Sequence, residues 1–63
     1  MSTRLSYTIP EAAAAVGVSE WTIRAEIRAN RLAARYVGSK PLIPASELEA
    51  WLESLPSEKA ARS

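Results

Sequence analysis

Apolar residues recur at helical spacing in three separate segments of this chain. In the first segment they lie at positions i, i+3, i+4 and i+7, namely Ile9, Ala12, Ala13 and Val16. Thr8 and Glu11 have the spacing of a capping box, in which each side chain binds the backbone amide of the other residue. Gly17 is typical of the residue that follows a helix C-terminus. This pattern predicts a first helix over residues 9–16.

A second helical segment follows after a turn of about three residues, 17–19. Ser19 is a residue type that caps helix N-termini. Asn30 readily takes the left-handed conformation that is common where helices end. A second helix is therefore predicted up to about Ala29. Two short helices joined by a glycine-containing turn of this length predict a helix-turn-helix.

Residues 34–37 and 41–43 flank the dipeptide Gly38-Ser39 and predict a short β-hairpin. Glycine at the first of two loop positions is typical of a type II′ turn. Pro41 has no amide hydrogen to donate to a neighbouring strand, so we expect the return strand to lie at an edge of the sheet.

The third helical segment begins with what reads as a second capping box, from Ser46 to Glu49. An i, i+3, i+4, i+7 stripe follows, made of Leu48, Trp51, Leu52 and Leu55. Pro56 cannot continue a helix in its interior. A third helix is therefore predicted over residues 46–55.

These elements predict a fold that is mainly α with a small β-hairpin, in the order helix, turn, helix, wing, helix. We expect one domain over residues 7–55, with a flexible N-terminus at 1–6 and a flexible C-terminal tail at 56–63. With 63 residues, the chain is near the lower limit for a domain that folds unaided. The predicted core is Ile9, Val16, Val18, Ile23, Ile27, Leu32, Leu42, Ile43, Leu48, Trp51, Leu52 and Leu55.

The composition argues against several functional classes. The sequence has no Cys and no His, which leaves no thiolate nucleophile, no imidazole base and no zinc site of the usual kind. Its glutamates lack the apolar surroundings that would raise a carboxyl pKa for catalysis. We therefore predict no catalytic residues, no metal, no cofactor and no small-molecule ligand. No apolar run approaches the roughly 18 residues of a membrane span, and we expect a cytoplasmic protein without a membrane partner.

Charge is unevenly distributed along the chain, although the net charge is only +1. Residues 20–40 carry five Arg or Lys and two Glu, whereas residues 41–58 carry four Glu and no cation. A basic middle segment favours a polyanionic partner. The acidic third helix is then expected on the side of the molecule that faces away from that partner.

The second helix carries the most informative side chains. At about 100° per residue, Ile23 and Ile27 fall on one side, and the opposite side presents Trp21, Arg24, Ala25 and Arg28. An outward face of this kind is typical of a helix that lies in the major groove of DNA, where arginine contacts guanine or phosphate. Two alternatives stay open, a core position for Trp21 and simple solvation of the arginines.

Further candidate DNA contacts lie beside this face. The hydroxyls of Ser19 and Thr22 are placed to contact phosphates near the N-terminus of the second helix. On the predicted wing the candidates are Arg35, Ser39 and Lys40. Glu20 and Glu26 lie nearer the isoleucine side, and we expect them to serve solubility or pairing along the helix.

The sequence from Tyr7 to Leu55 resembles the MerR-like winged helix-turn-helix domains of phage and plasmid excisionases. The resemblance rests on Gly17-Val18-Ser19 followed by Thr22-Ile23, on Val37-Gly38 and Ile43-Pro44, and on a final Leu-x-x-Trp-Leu helix. Ser39 and Pro41 stand where such wings commonly have arginine or an aromatic residue. The Ala- and Arg-rich composition would suit a high-GC host, such as an actinobacterium and its bacteriophages.

The resemblance implies a recombination directionality factor, which binds repeated attachment-site DNA, bends it cooperatively and directs a phage integrase towards excision. By position it implies a recognition helix that uses Ser19, Trp21, Thr22, Arg24 and Arg28, and a wing that uses Arg35, Ser39 and Lys40. The implied partners are double-stranded DNA, the integrase and neighbouring copies of the chain. A small transcriptional regulator of the same fold and a protein–protein adaptor that uses the Trp21 surface remain as alternatives.

Overall fold

The structure, a computed structural model, describes residues 4–56. Three helices and a three-stranded antiparallel sheet follow one another as β1 (Ser6–Tyr7), α1 (Ile9–Val16), α2 (Glu20–Arg28), β2 (Arg35–Val37), β3 (Lys40–Pro44) and α3 (Ala45–Ser54). This order confirms the predicted winged helix-turn-helix. Residues 1–3 and 57–63, which make up most of the two ends predicted to be flexible, lie outside the described residues.

Helix α1 begins and ends as the sequence predicts. Thr8 accepts a 3.3 Å hydrogen bond from the amide of Glu11, and the Glu11 carboxylate accepts one of 2.9 Å from the amide of Thr8. The amide of Gly17 donates to the carbonyl of Ala13 at 2.8 Å, and the left-handed conformation of Gly17, with φ of 82°, lets the amide of Val18 donate to the same carbonyl at 3.0 Å. The two caps satisfy backbone groups that would otherwise lack partners at the helix ends.

Helix α2 also has the predicted boundaries. The side chain of Ser19 accepts a 3.1 Å hydrogen bond from the amide of Thr22 and so caps the first turn. At the other end, Ala29 closes the helix and Asn30 has a φ of 64°. A three-residue turn therefore fixes the path from α1 into α2, as a helix-turn-helix requires.

The hairpin has the predicted two-residue turn. Val37 pairs with Lys40 across Gly38-Ser39, and Gly38 has a φ of 62°. Asn30 is the one non-glycine residue with a positive φ in the part of the chain that the structure describes, so Ser39 has a negative φ. A positive φ at the first loop position alone is the signature of type II′, as predicted.

The prediction that Pro41 confines β3 to an edge is wrong, because β3 is the central strand in the order β1-β3-β2. Strand β1 reaches only Ile43 and Pro44, through Tyr7 and Ser6. Pro41 lies beyond that pairing, opposite Tyr36 of β2. This pair is next to the hydrogen-bonded pair at the turn, where pairing alternates, so the Pro41 nitrogen faces away from β2. No ladder bond is lost, and a proline is tolerated.

Strand β1 was not predicted, and Ser6, assigned to a flexible N-terminus at 1–6, lies within it. The segment is held by more than its two backbone pairs. The guanidinium of Arg4 lies 4.6 Å from the centre of the Tyr7 ring and pairs with the carboxylate of Glu11. These contacts attach β1 to the first turn of α1.

Helix α3 begins earlier than predicted, and its expected capping box is absent. The helix starts at Ala45 after Pro44, with no side-chain cap, so Ser46 already lies inside the first turn. The amide of Ala45 donates instead to the carbonyl of Leu5 at 2.9 Å. At the C-terminus, Leu55 is extended, as the residue before a proline usually is.

The core lies between the two N-terminal helices, the sheet and α3. Its buried members are Ile9, Ala12, Ala13, Ile23, Leu32, Ile43, Leu48 and Trp51. Val16, Val18 and Ile27 of the predicted core pack against this cluster while partly exposed, and Leu42 is half-buried.

Leu52 and Leu55 were predicted as core residues, and this is wrong, because they are 49% and 40% exposed. Helix α3 packs on the domain along the line of Leu48 and Trp51. Leu52 lies about 100° around the helix from Trp51, and Leu55 follows the last helical residue. Ala12 and Ala13, which were not among the predicted core residues, are buried.

Candidate nucleic-acid interface

The outward face of α2 carries three large side chains that the fold leaves in solvent. Trp21 is 73% exposed, the Arg24 side chain is 56% exposed, and Arg28 is exposed as well. Ile23, on the opposite side of the same helix, is fully buried. The prediction that Trp21 points away from the core is confirmed, and the spacing i, i+3, i+7 places the indole and both guanidinium groups on one face.

The remaining candidates on α2 are less accessible. Thr22 and Ala25 are half-buried. The hydroxyl of Ser19 lies 3.0 Å from the hydroxyl of Thr22 and also accepts that residue's amide. The two hydroxyls thus contact each other, and capping the helix is their first role. Because the Ser19 cap accepts the amide of Thr22, only the amides of Glu20 and Trp21 in the first turn have neither this cap nor a carbonyl four residues back within the helix.

Helix α2 and the hairpin form the two sides of one open groove. Arg24, Ile27 and Arg28 line it from the helix, and Ile9 contributes from α1. From the hairpin, Tyr36, Ser39 and Pro41 line the other side. The structure therefore brings Arg24, Arg28 and Ser39 of the predicted site together. It adds Tyr36 and Pro41, which were not predicted as site residues.

Arg35 and Lys40, the two predicted wing cations, do not line this groove. Successive residues of a strand point to opposite faces of the sheet, and the pairs Arg35–Leu42 and Val37–Lys40 alternate with Tyr36–Pro41. Arg35 and Lys40 therefore lie on the hairpin face turned away from the groove, and both are exposed. The hairpin presents cations on its outer face and an aromatic ring towards α2.

Glu20 was expected nearer the isoleucine side of α2, but its carboxylate lies beside an arginine of the outward face. Its carboxylate is 3.9 Å from the guanidinium of Arg24, and the two side chains are about half exposed. An exposed pair of this kind is worth little, because water and salt screen it. For Arg28 there is no carboxylate within ion-pair distance anywhere in residues 4–56.

Glu26 has a structural role that the sequence did not reveal, since solubility or pairing along the helix was the expectation. Its carboxylate accepts hydrogen bonds from Arg31 at 2.9 and 3.0 Å and from the indole nitrogen of Trp51 at 3.1 Å. The bond from Arg31, followed by that from Trp51, lowers the pKa of Glu26 from the ordinary 4.5 to about 2. Glu26 thus joins the end of α2 to α3.

This contact also fixes where α3 lies relative to the arginines. Glu26 is two residues from both Arg24 and Arg28, which is about 200° around a helix. Helix α3 therefore meets α2 on the side opposite the outward face. Its glutamates Glu49 and Glu53 are exposed and belong to this opposite side, whereas Glu47 lines a hollow that Tyr36 of the hairpin also borders.

Two further features of the described residues bear on other kinds of function. Within residues 4–56, no group of three or more His, Cys, Asp or Glu side chains is arranged to hold a metal ion. The same part of the chain contains no helix with the length and apolar character that a membrane span requires.

The family model of the helix-turn-helix domain matches residues 6–56 of this chain, which includes every described helix and strand. Neither the curated proteins nor the solved structures give a match. The matched family includes excisionase-like DNA-binding proteins and is typically non-enzymatic. The fold and the match agree on the same stretch of chain, and the protein belongs to the helix-turn-helix domain family of DNA-binding proteins.

Proposed function

We propose that this chain is an excisionase-type architectural protein with a MerR-like DNA-binding domain. In this proposal it binds repeated sites in attachment-site DNA, bends the duplex cooperatively and directs a phage integrase towards excision. It acts in the cytoplasm of a bacterial host, on nucleoid DNA.

The observation that carries the proposal is the outward face of α2. Trp21, Arg24 and Arg28 share this face, and a groove beside two of them leads to the hairpin. The major groove of B-DNA is about 12 Å wide and admits one α-helix. With α2 in that groove, the arginines meet guanine edges or phosphates, and the indole packs against a thymine methyl or the sugar-phosphate backbone.

The hairpin extends the proposed interface to the neighbouring part of the duplex. Its turn, Gly38-Ser39, is small, and Lys40 lies directly beside it. With α2 in the major groove, the hairpin would rest against the adjacent backbone or minor groove. Arg35 and Lys40, on its outer face, would then meet phosphates that α2 does not reach.

Assembly on DNA is the second part of the proposal. A single small module contacts roughly 600–1,000 Å² of interface, which is little for tight and selective binding. Copies on adjacent sites would add contacts to each other, and the chain has complementary surfaces for this. Cations lie on α2 and the hairpin, and exposed glutamates lie on α3. A row of such copies would hold the DNA in a bent path.

DNA binding is tested first by fluorescence anisotropy with labelled duplexes over a series of salt concentrations. Each neutralised phosphate contributes about −0.9 to the slope of log affinity against log salt. Arg28→Ala is expected to make that slope less steep by about one and to weaken binding by about 1–3 kcal/mol. On a duplex that holds only one copy, where α3 has no neighbouring copy to contact, Glu53→Ala is the control and should match the unmodified protein. An affinity independent of salt would instead favour an adaptor that docks through Trp21.

The excisionase role needs a second experiment. Band shifts with attachment-site DNA, with and without the integrase, should show cooperative filling of adjacent sites and a joint complex with the enzyme. The mobility of circularly permuted fragments should report a bend. Independent filling, no bend and no effect of the integrase would contradict this role. Binding at a promoter would then favour the transcriptional regulator.

A further inference from the structure

The groove between α2 and the hairpin has a chemical character that differs from the outward face of α2. Four polar side chains line it, those of Arg24, Arg28, Tyr36 and Ser39. All four can donate hydrogen bonds, and none is acidic. The apolar remainder of the lining is Ile9, Ile27 and Pro41. A lining of donors and cations around an apolar floor suits an anion that carries an apolar body.

Tyr36 is the groove residue whose exposure is not explained by the packing of the fold. Its side chain is 61% exposed, although an aromatic ring of this size stabilises a small domain most when it is buried. The ring also borders a second hollow on the α3 side of the hairpin, where the charged residues of the lining are Arg31 and Glu47. Across residues 4–56, no hydrogen bond involves the phenol hydroxyl. The hydroxyl is therefore available to a partner.

We propose that this groove receives a phosphodiester of the DNA backbone and that the hydroxyl of Tyr36 donates a hydrogen bond to it. The proposal rests on the DNA binding proposed above and adds a contact residue to it. Arg24 and Arg28 supply the charge from the helix side, and Ser39 supplies a second hydroxyl from the hairpin. The sugar rests on the apolar floor. Tyr36 thus connects the contacts of α2 with those of the hairpin.

The strand geometry separates Tyr36 from its neighbour Val37. Tyr36 pairs with Pro41 on the groove side of the hairpin, and Val37 pairs with Lys40 on the outer side. Val37 is about as exposed as Tyr36, at 65%. The two residues share one strand and one level of exposure but face in opposite directions, so Val37→Ala is a matched control.

The test compares Tyr36→Phe, Val37→Ala, Arg28→Ala and the unmodified chain by anisotropy on one duplex over a salt series. Tyr36→Phe keeps the ring and removes only a hydroxyl without a partner in the described structure, so its thermal melt should be unchanged. Its DNA affinity should fall about tenfold, the lower end for a hydrogen bond to a charged group. The slope of its log affinity against log salt should equal that of the unmodified chain, because no charge is lost. Arg28→Ala should make this slope less steep by about one.

Three results would overturn the proposal. Unchanged affinity of Tyr36→Phe, while Arg28→Ala is weakened, would remove Tyr36 from the interface and leave the proposed DNA binding intact. An equal loss in Val37→Ala would mean that the hairpin as a whole, and not the hydroxyl, matters. If the unmodified chain binds no duplex, the proposed function fails and this contact fails with it.

Discussion

The indole nitrogen of Trp51 donates a 3.1 Å hydrogen bond to the Glu26 oxygen that also accepts the Arg31 guanidinium at 2.9 Å. Trp51 belongs to the buried line of α3, and Glu26 lies on α2 opposite the arginine face. This carboxylate therefore ties the proposed recognition helix to α3. Rotation of α2 about its axis would break the bond from Trp51.

Glu26→Gln is expected to destabilise the fold in a way that depends on pH. The pKa of Glu26 is lowered from 4.5 to about 2 in the folded chain. Its contribution to the free energy of unfolding is therefore complete above pH 4.5 and is lost as the pH falls from about 4.5 to 2. The difference in stability between the two proteins should be largest near neutral pH and should shrink across that window. Chemical denaturation at a series of pH values measures this difference.

Glu11 also has a lowered pKa, mainly through its hydrogen bond from the Thr8 amide. Its contribution to the free energy of unfolding is therefore also lost as the pH falls. Because Glu11 is present in both proteins, its effect cancels in the difference. A stability difference that stays constant from pH 7 to pH 2 would show that the Glu26 charge does not stabilise the fold.

The two tryptophans are expected to respond to truncation in opposite ways. Trp51 is 6% exposed, and Trp51→Ala should lower the free energy of unfolding by about 3–5 kcal/mol, the range for a buried aromatic. Trp21 is 73% exposed, and Trp21→Ala should change stability by about 0.5 kcal/mol or less. Trp21→Ala should weaken DNA binding nonetheless. Thermal melts and anisotropy on both variants decide this, and a melt of Trp21→Ala as low as that of Trp51→Ala would contradict it.

Glu20→Gln is expected to strengthen DNA binding. The carboxylate of Glu20 lies 3.9 Å from Arg24 on the face that would meet phosphates. Its removal frees Arg24 and takes away a repulsive charge, which should raise affinity by about 0.3–1 kcal/mol. The same change removes a favourable negative charge from the N-terminus of α2. This should lower the free energy of unfolding by about 0.3–1 kcal/mol.

The matched control for this variant is Glu49→Gln, which makes the same charge change on the outside of α3. Both variants are compared at physiological salt, where screening limits such effects to about 8 Å, and on a duplex that holds only one copy, so the control should bind DNA like the unmodified chain. Equal gains in both variants would point to net charge alone, and no gain in Glu20→Gln would argue against Arg24 as a contact.

The helices and the turn of the hairpin could be predicted because their signals are local. Thr8, Gly17 and Ser19 each satisfy or shape a backbone group within a few residues, so the sequence spacing alone contains the information. The outward direction of Trp21 follows in the same way from the helical period. Ser46 misled the prediction of α3, because the amide at the start of that helix is satisfied by the distant carbonyl of Leu5.

The features that were missed depend on contacts between residues far apart in the chain. Strand β1 has two residues, too few for an alternating pattern, and forms only because β3 offers it a partner. The bond between Glu26 and Trp51 joins residues 25 positions apart. Tyr36 faces the arginines because of the hairpin register, which the sequence of β2 alone does not specify.

The most direct test of the account is the location of the DNA-binding surface. Titration of an unlabelled duplex that holds only one copy into the ¹⁵N-labelled chain should shift the amide signals of α2 and the hairpin, and the side-chain N–H signals of Trp21 and Arg28. The indole signal of Trp51 and the amides of Glu49 and Leu52 on α3 should stay in place. Shifts centred on Leu52 and Glu49, with the α2 signals unmoved, would contradict the assignment of α2 as the recognition helix.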